Sequence, residues 1–236
     1  MKATNWEFKN RARIFGLMLA VTFPMYAIDP QNSAAALANW LAHKLRMDAD
    51  FVARLLFALS AVVLALAAFI RTWASSYLHA QVVYASEVKT KSLVADGPFR
   101  FVRNPLYLGN VLMAFAMGAM MSRLGFVTVV VAMIVFSYRL ILREEVELEA
   151  GQGEQYELYR KAVPRLWPSL WPRTPSAGSR PSWTEGFAAE SYYWGFAVAV
   201  GAFALTLKQW VFFVILGISL VLFWVAPSLL LKKSSS

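Results

Sequence analysis

Apolar runs near the length of a bilayer crossing recur along this chain, and they constrain its fold more than any other feature. They are Ile14–Ile28, Phe51–Ile70, Leu106–Met121, Phe126–Leu142, Phe187–Leu207 and Trp210–Leu231. A transmembrane helix needs about 20 mostly apolar residues, and lipid offers no partner to an open backbone group. The expected fold class is therefore all-α: a polytopic membrane helical bundle of about six transmembrane helices, one membrane-embedded domain over residues 1–236. The third run, at about 1.5 Å per residue, reaches roughly 24 Å against a hydrocarbon core of about 30 Å. Only Ser122–Gly125 separates it from the fourth, so the pair reads as a short antiparallel hairpin.

Composition agrees with a membrane setting. The chain is 58% hydrophobic and 16% charged, against about 45–50% and about 25% for a soluble domain. With no Cys there is no disulfide, thiol nucleophile or Cys-ligated metal, and two His leave no material for a multi-His site; no metal is expected. The net charge of +9 reads as inward-facing basic flanks and contact with anionic membrane lipids, with no nucleic-acid partner.

Charge also orients the spans. Met1–Arg13 reads as the basic flank of an uncleaved first span, in preference to the start of a signal peptide. With the N-terminus inside, 18 of the 23 Lys and Arg fall at or beyond the cytoplasmic edges, and Lys44, Arg46, Arg54, Arg123 and Lys208 fall outside. Both termini are then cytoplasmic, and the polar connectors Arg71–Pro105 and Arg143–Gly186 share that face. Leu37, Trp40, Leu41 and Leu45 fall at helical spacing, which predicts a short amphipathic helix in the outer interface. The second helix should continue to about Ser86, since nothing after Arg71 breaks it. Val163–Glu185 carries five Pro and three Trp, which predicts an irregular segment along the cytoplasmic surface.

Chemistry concentrates in Gly97–Gly109, GPFRFVRNPLYLG, and in Arg139–Glu149. Pro98 and Pro105 stop helices, while Gly97 and Gly109 admit unusual backbone geometry or close approach. Arg100 and Arg103 lie close to an apolar span, where charge is costly unless it has a role or faces water. A helical hairpin that starts and ends on one side brings Asn104 and Tyr107 near Arg139–Glu145. Acids, a cation, an aromatic ring and amide groups would make a cytoplasmic pocket for a zwitterionic or cationic ligand bearing a carboxylate. His43, His79 and the Met113, Met117, Met120 and Met121 cluster read as surface or packing, and Glu147 and Glu149 as a solvated helix face.

The segments LVADGPFRFVRNPLYLG, REEVEL about 30 residues later, and GEQYELYRKAVPRLWP resemble the signature of the isoprenylcysteine carboxyl methyltransferase family. That signature is shared with a wider group that includes phospholipid N-methyltransferases. The resemblance covers about Ser86–Pro168, a methyltransferase motif core, and leaves 187–231 as an additional C-terminal transmembrane hairpin. It implies an integral-membrane methyltransferase that uses S-adenosylmethionine. By position it implies a cofactor site of Lys91, Leu93, Val94, Gly97, Phe99, Arg103, Asn104, Pro105, Leu106 and Tyr107, met from the other side by Glu144 or Glu145. Arg139 would position the substrate, and Glu144 and Glu145 would serve in catalysis. Asn104 stands where the family usually has His; it keeps a donor and an acceptor but cannot carry charge. The implied reaction is carboxyl O-methylation of a lipophilic or isoprenoid-bearing substrate. Phospholipid N-methylation and an NADPH-dependent membrane reductase of related fold are the alternatives.

Overall fold

A computed structural model describes residues 2–84 and 95–233, with the backbone alone for 79–84 and 224–233. The described residues form an all-α bundle. In order the helices are α1 (Asn5–Lys9), α2 (Arg11–Thr22), α3 (Ser33–Leu45), α4 (Ala49–Tyr84), α5 (Pro105–Gly118), α6 (Arg123–Gln152), α7 (Glu154–Ala162), α8 (Trp183–Thr206) and α9 (Gln209–Lys233). Two compact units result. One comprises Met1–Asn10, Phe69–Asn110 and Val135–Glu190; the other comprises Arg11–Ala68, Val111–Ile134 and Ser191–Ser236.

The second unit is an apolar core. Phe57 and Leu64 of α4, Met113 and Met117 of α5, Val129 and Met133 of α6, Phe203 of α8 and Phe212 of α9 are buried together. Met113, Met117 and Met121 are packing residues, as expected. Thr22 donates to the Met121 sulfur at 3.3 Å. Arg54 donates to the carbonyls of Ala204 and Leu205 at the C-terminal end of α8, where a cation offsets unsatisfied carbonyls.

Several expectations change in detail. The first span is not one α-helix: α2 stops at Thr22, and Phe23–Ala27 is a 3-10 turn with Pro24 at its start. Helix α3 forms where expected: its buried stripe is Ala34, Ala38 and Ala42, and Leu37, Trp40 and Leu45 are exposed, free to face an interface. Small side chains at i, i+4 spacing let the helix pack closely, and the larger ones are left outside. Helix α6 does not end at Leu142 but runs on to Gln152, because REEVELEA has high helix propensity and no breaker. Gly153, at φ 52°, then turns the chain into α7. Of the six expected crossings, two among the described residues, Ala49–Leu78 and Arg123–Gln152, are long and apolar enough for a membrane. Helix α5 and the stretch Gln209–Phe223 of α9 are apolar but shorter.

Candidate active site

The site lies in the first unit, where two segments outside the α-helices run side by side, the first holding a 3-10 turn at Gly97–Arg100. Arg103 N–H donates to the Pro164 carbonyl, Ser169 N–H to Phe101, and Arg173 N–H to Arg100, at 2.8–2.9 Å. The order is antiparallel: as one segment advances, the other returns. Proline keeps residues 164–181 irregular, so they form a strap and not a strand. At one end Asp96, only 1% exposed, accepts from Ser176 Oγ and from the amides of Ala177 and Ser179 at 2.7–2.9 Å. Burial opposes ionisation of Asp96, but these donors outweigh it and hold the carboxyl below its ordinary value. Next to it, Gly97 has φ 57°, and a Cβ there would run into the ring of Tyr77. Pro105 starts α5, where its missing N–H costs nothing.

Glu145, on α6, is the centre of charge. It is buried and faces two guanidinium groups. Arg165, from the strap, holds it with two parallel bonds, Nε to Oε1 at 2.9 Å and Nη2 to Oε2 at 2.8 Å. Arg103 Nη1 lies 2.8 Å from Oε1. The Arg103 side chain is only 8% exposed, and its Nε and Nη1 make no aligned hydrogen bond. Arg165 also donates to the Tyr138 hydroxyl at 2.6 Å and stacks over that ring. Asn104 donates to the Arg165 carbonyl at 2.9 Å, fixing the strap to the start of α5. One turn along, the Tyr107 hydroxyl donates to Glu144 Oε1 at 2.7 Å. Tyr156 and Tyr159 of α7 pack with Val163 and Leu148 beside this group. Burial raises the pKa of both phenols, so they stay neutral donors; Tyr159 donates to the Phe99 carbonyl at 2.8 Å.

The α5–α6 hairpin thus brings Arg103, Asn104 and Tyr107 together with Glu144 and Glu145. Phe99 is buried beside them through its contact with Tyr159, and the Leu106 carbonyl accepts from Arg71 at 3.0 Å. Lys91, Leu93 and Val94 lie outside the described residues. Arg139 does not join the group: it donates to Glu7 at 2.8 Å and to the Lys2 carbonyl, beneath the N-terminal segment. Arg165, which stands in AVPRLWP, is not among the residues that the resemblance implies for the site. Nor does it imply Arg71, at the edge of the second span, or Glu190, a lone acid inside an apolar run. That isolation was the available signal.

Comparison with known proteins gives this geometry a setting. Residues 55–152 match the phospholipid methyltransferase family. The matched stretch begins in α4, earlier than the motifs alone suggest, and ends with α6. The cobalt-zinc-cadmium resistance protein CzcN of Cupriavidus metallidurans is 27% identical over 164 residues, covering 70% of this chain and 67% of that protein. The nickel-cobalt-cadmium resistance protein NccN of Alcaligenes xylosoxydans xylosoxydans is 27% identical over 139 residues, 59% of this chain and 56% of that one. No solved structure matches. The expected isoprenylcysteine branch is not singled out, because the matching family is the phospholipid one. Residues 55–152, less than half of the chain, are thus similar to the phospholipid methyltransferases.

Proposed function

We propose that this chain is a membrane methyltransferase that moves the methyl group of S-adenosylmethionine onto an amine carried by a phospholipid or similar lipid. The family match favours a phospholipid acceptor over an isoprenylcysteine carboxylate. One structural observation adds to it: Arg139, which would have held a carboxylate substrate, is occupied by Glu7, while the acids Glu144 and Glu145 stand with the motif residues.

The donor set suits the cofactor. A methionine-bearing nucleoside presents a carboxylate, an ammonium, ribose hydroxyls and a flat base. Arg103, buried and with Nε unpartnered, would take the carboxylate. Glu145 would accept from the ammonium or ribose hydroxyls, and Tyr107 and Phe99 would line the site. When bound, the cofactor supplies a sulfonium-activated methyl group. The chain's residues then have to orient the acceptor and exclude water. An amine acceptor must also shed a proton as it gains the methyl group, and Glu144, held by Tyr107, would take that proton. In this proposal the site and both termini lie on the cytoplasmic side, with six crossings.

The two relatives are named for metal resistance. For a chain with no Cys and two His, we take that as the setting in which the methylated product is used. Stoichiometric, tight Zn²⁺ binding in equilibrium dialysis would contradict this.

The test is acceptor choice. Purified protein in nanodiscs receives methyl-labelled S-adenosylmethionine with either phosphatidylethanolamine or a farnesylcysteine. Label in the phosphatidylethanolamine supports the proposal; label in the farnesylcysteine alone returns the reading to carboxyl methylation. Binding of NADPH with no binding of S-adenosylmethionine would make the protein a reductase.

A further inference from the structure

A second buried charge cluster lies in the first unit. Arg71, on α4, donates Nε to Glu190 Oε2 at 2.6 Å and Nη2 to Oε1 at 3.0 Å. Ser75, one turn along α4, donates to the same carboxylate at 2.6 Å. The remaining arm of Arg71 reaches α5, where Nη1 donates to the Leu106 carbonyl at 3.0 Å and to Asn110 Oδ1 at 2.7 Å. The side chains of Arg71 and Glu190 are 12% and 6% exposed.

These groups sit in largely apolar stretches of their helices. A charge there is costly, and two charges are retained only with good geometry and full hydrogen bonding. The sequence provides for both. Ser182, Gly186 and Glu190 follow one another at four-residue intervals on one face of the α8 segment. Ser182 N–H donates to the Ser76 carbonyl at 2.9 Å. A Cβ on Gly186 would lie 2.6 Å from the Thr72 carbonyl oxygen. Opposite them Thr72, Ser75 and Ser76 are small and buried. Small residues on both helices bring α8 close enough for Glu190 to reach Arg71.

What the cluster grips is the first turns of α5. Leu106 lies between Asn104, Pro105 and Tyr107, which are residues of the candidate cofactor site. Glu190 lies beyond residues 55–152, the stretch shared with the methyltransferases. We infer that Glu190, acting through Arg71, is a positioning residue that sets the α5 N-terminus for cofactor binding, and that this is a function of α8. The inference rests on the methyltransferase reading above.

The test is calorimetric titration of the full-length protein in detergent with S-adenosylmethionine and with S-adenosylhomocysteine. Glu190→Gln should weaken both by about tenfold, and Ser75→Ala by about threefold. Glu190→Asp, which keeps the charge, should recover most of the affinity. Asp29→Asn breaks an exposed ion pair to Arg123 in the other unit and should change neither affinity by more than twofold. A purely structural pair would lower thermal stability and leave the affinity of the folded protein unchanged; that result in Glu190→Gln and Ser75→Ala overturns the inference. Should Glu190→Gln fail to fold, Ser75→Ala decides, since it keeps both charges. If the wild-type protein binds neither ligand, the methyltransferase reading falls and takes the inference with it.

Discussion

Glu145 binds two guanidinium groups in a buried position, so neutralising it leaves both short of their anion. Breaking one side of a buried pair costs about 3–5 kcal/mol. Arg165 is partly exposed and recovers some hydration, so Glu145→Gln should cost about 2–3 kcal/mol in denaturant unfolding and weaken S-adenosylmethionine binding as well. Equal stability of variant and wild type would remove Glu145 from the centre of the site. Tyr107→Phe deletes one hydroxyl and little volume; its loss should lower turnover about tenfold, roughly 1.4 kcal/mol, with the fold intact by circular dichroism. Asp96 sets a pH dependence. Its carboxyl is held below the ordinary value, so its stabilisation is fully present above the unfolded pKa of about 4 and is lost as pH falls through the lower folded value. Asp96→Asn should flatten thermal stability below about pH 4; an unchanged acid limb would show that the Ser176–Ser179 turn does not depend on that charge. At this scale the sequence was partly legible. Arg103, Asn104, Tyr107 and the acidic pair sit in a dense motif and were readable. Arg165 and Glu190 were not, because a partner distant in sequence leaves no local spacing to detect.

Among the elements, the α5–α6 hairpin was legible and its continuation was not. Apolar length marks the hairpin only as far as Leu142, whereas helix propensity carries the backbone on to Gln152. In α3 the large apolar residues marked the helix, and the inward stripe of Ala34, Ala38 and Ala42 adds the face that packs on the protein. Close packing by small residues also governs α8 against α4. Gly186→Leu puts a branched side chain where even a Cβ lies 2.6 Å from the Thr72 carbonyl oxygen. Overpacking of this kind costs about 1–3 kcal/mol. Here it should also part Glu190 from Arg71, so cofactor affinity should fall together with the melting temperature. Gly201→Ala serves as the control, because its nearest contact would be an ordinary 3.7 Å from Ala61. If both variants behave alike, the close α4–α8 approach is not required.

For the whole molecule the deciding quantity is the distribution of charge along the chain. Loops rich in Lys and Arg stay on the cytoplasmic side, and 18 of 23 basic residues fall in the flanks and connectors assigned there. Exposed Trp167, Leu170 and Trp171 on the strap suit a headgroup layer, where amphipathic rings concentrate. The native sequence has no Cys, so a single introduced thiol reports its own position against a silent background. Lys161→Cys and Lys44→Cys are both suitable, since each replaces an exposed side chain. In intact spheroplasts a membrane-impermeant maleimide should label Lys44→Cys and leave Lys161→Cys unlabelled until the membrane is opened. The reverse pattern would put the Glu145 site outside the cell, away from cytosolic S-adenosylmethionine. No single-residue repair of the proposed chemistry would survive that result, because the methyl donor could not reach the acids that are meant to receive it.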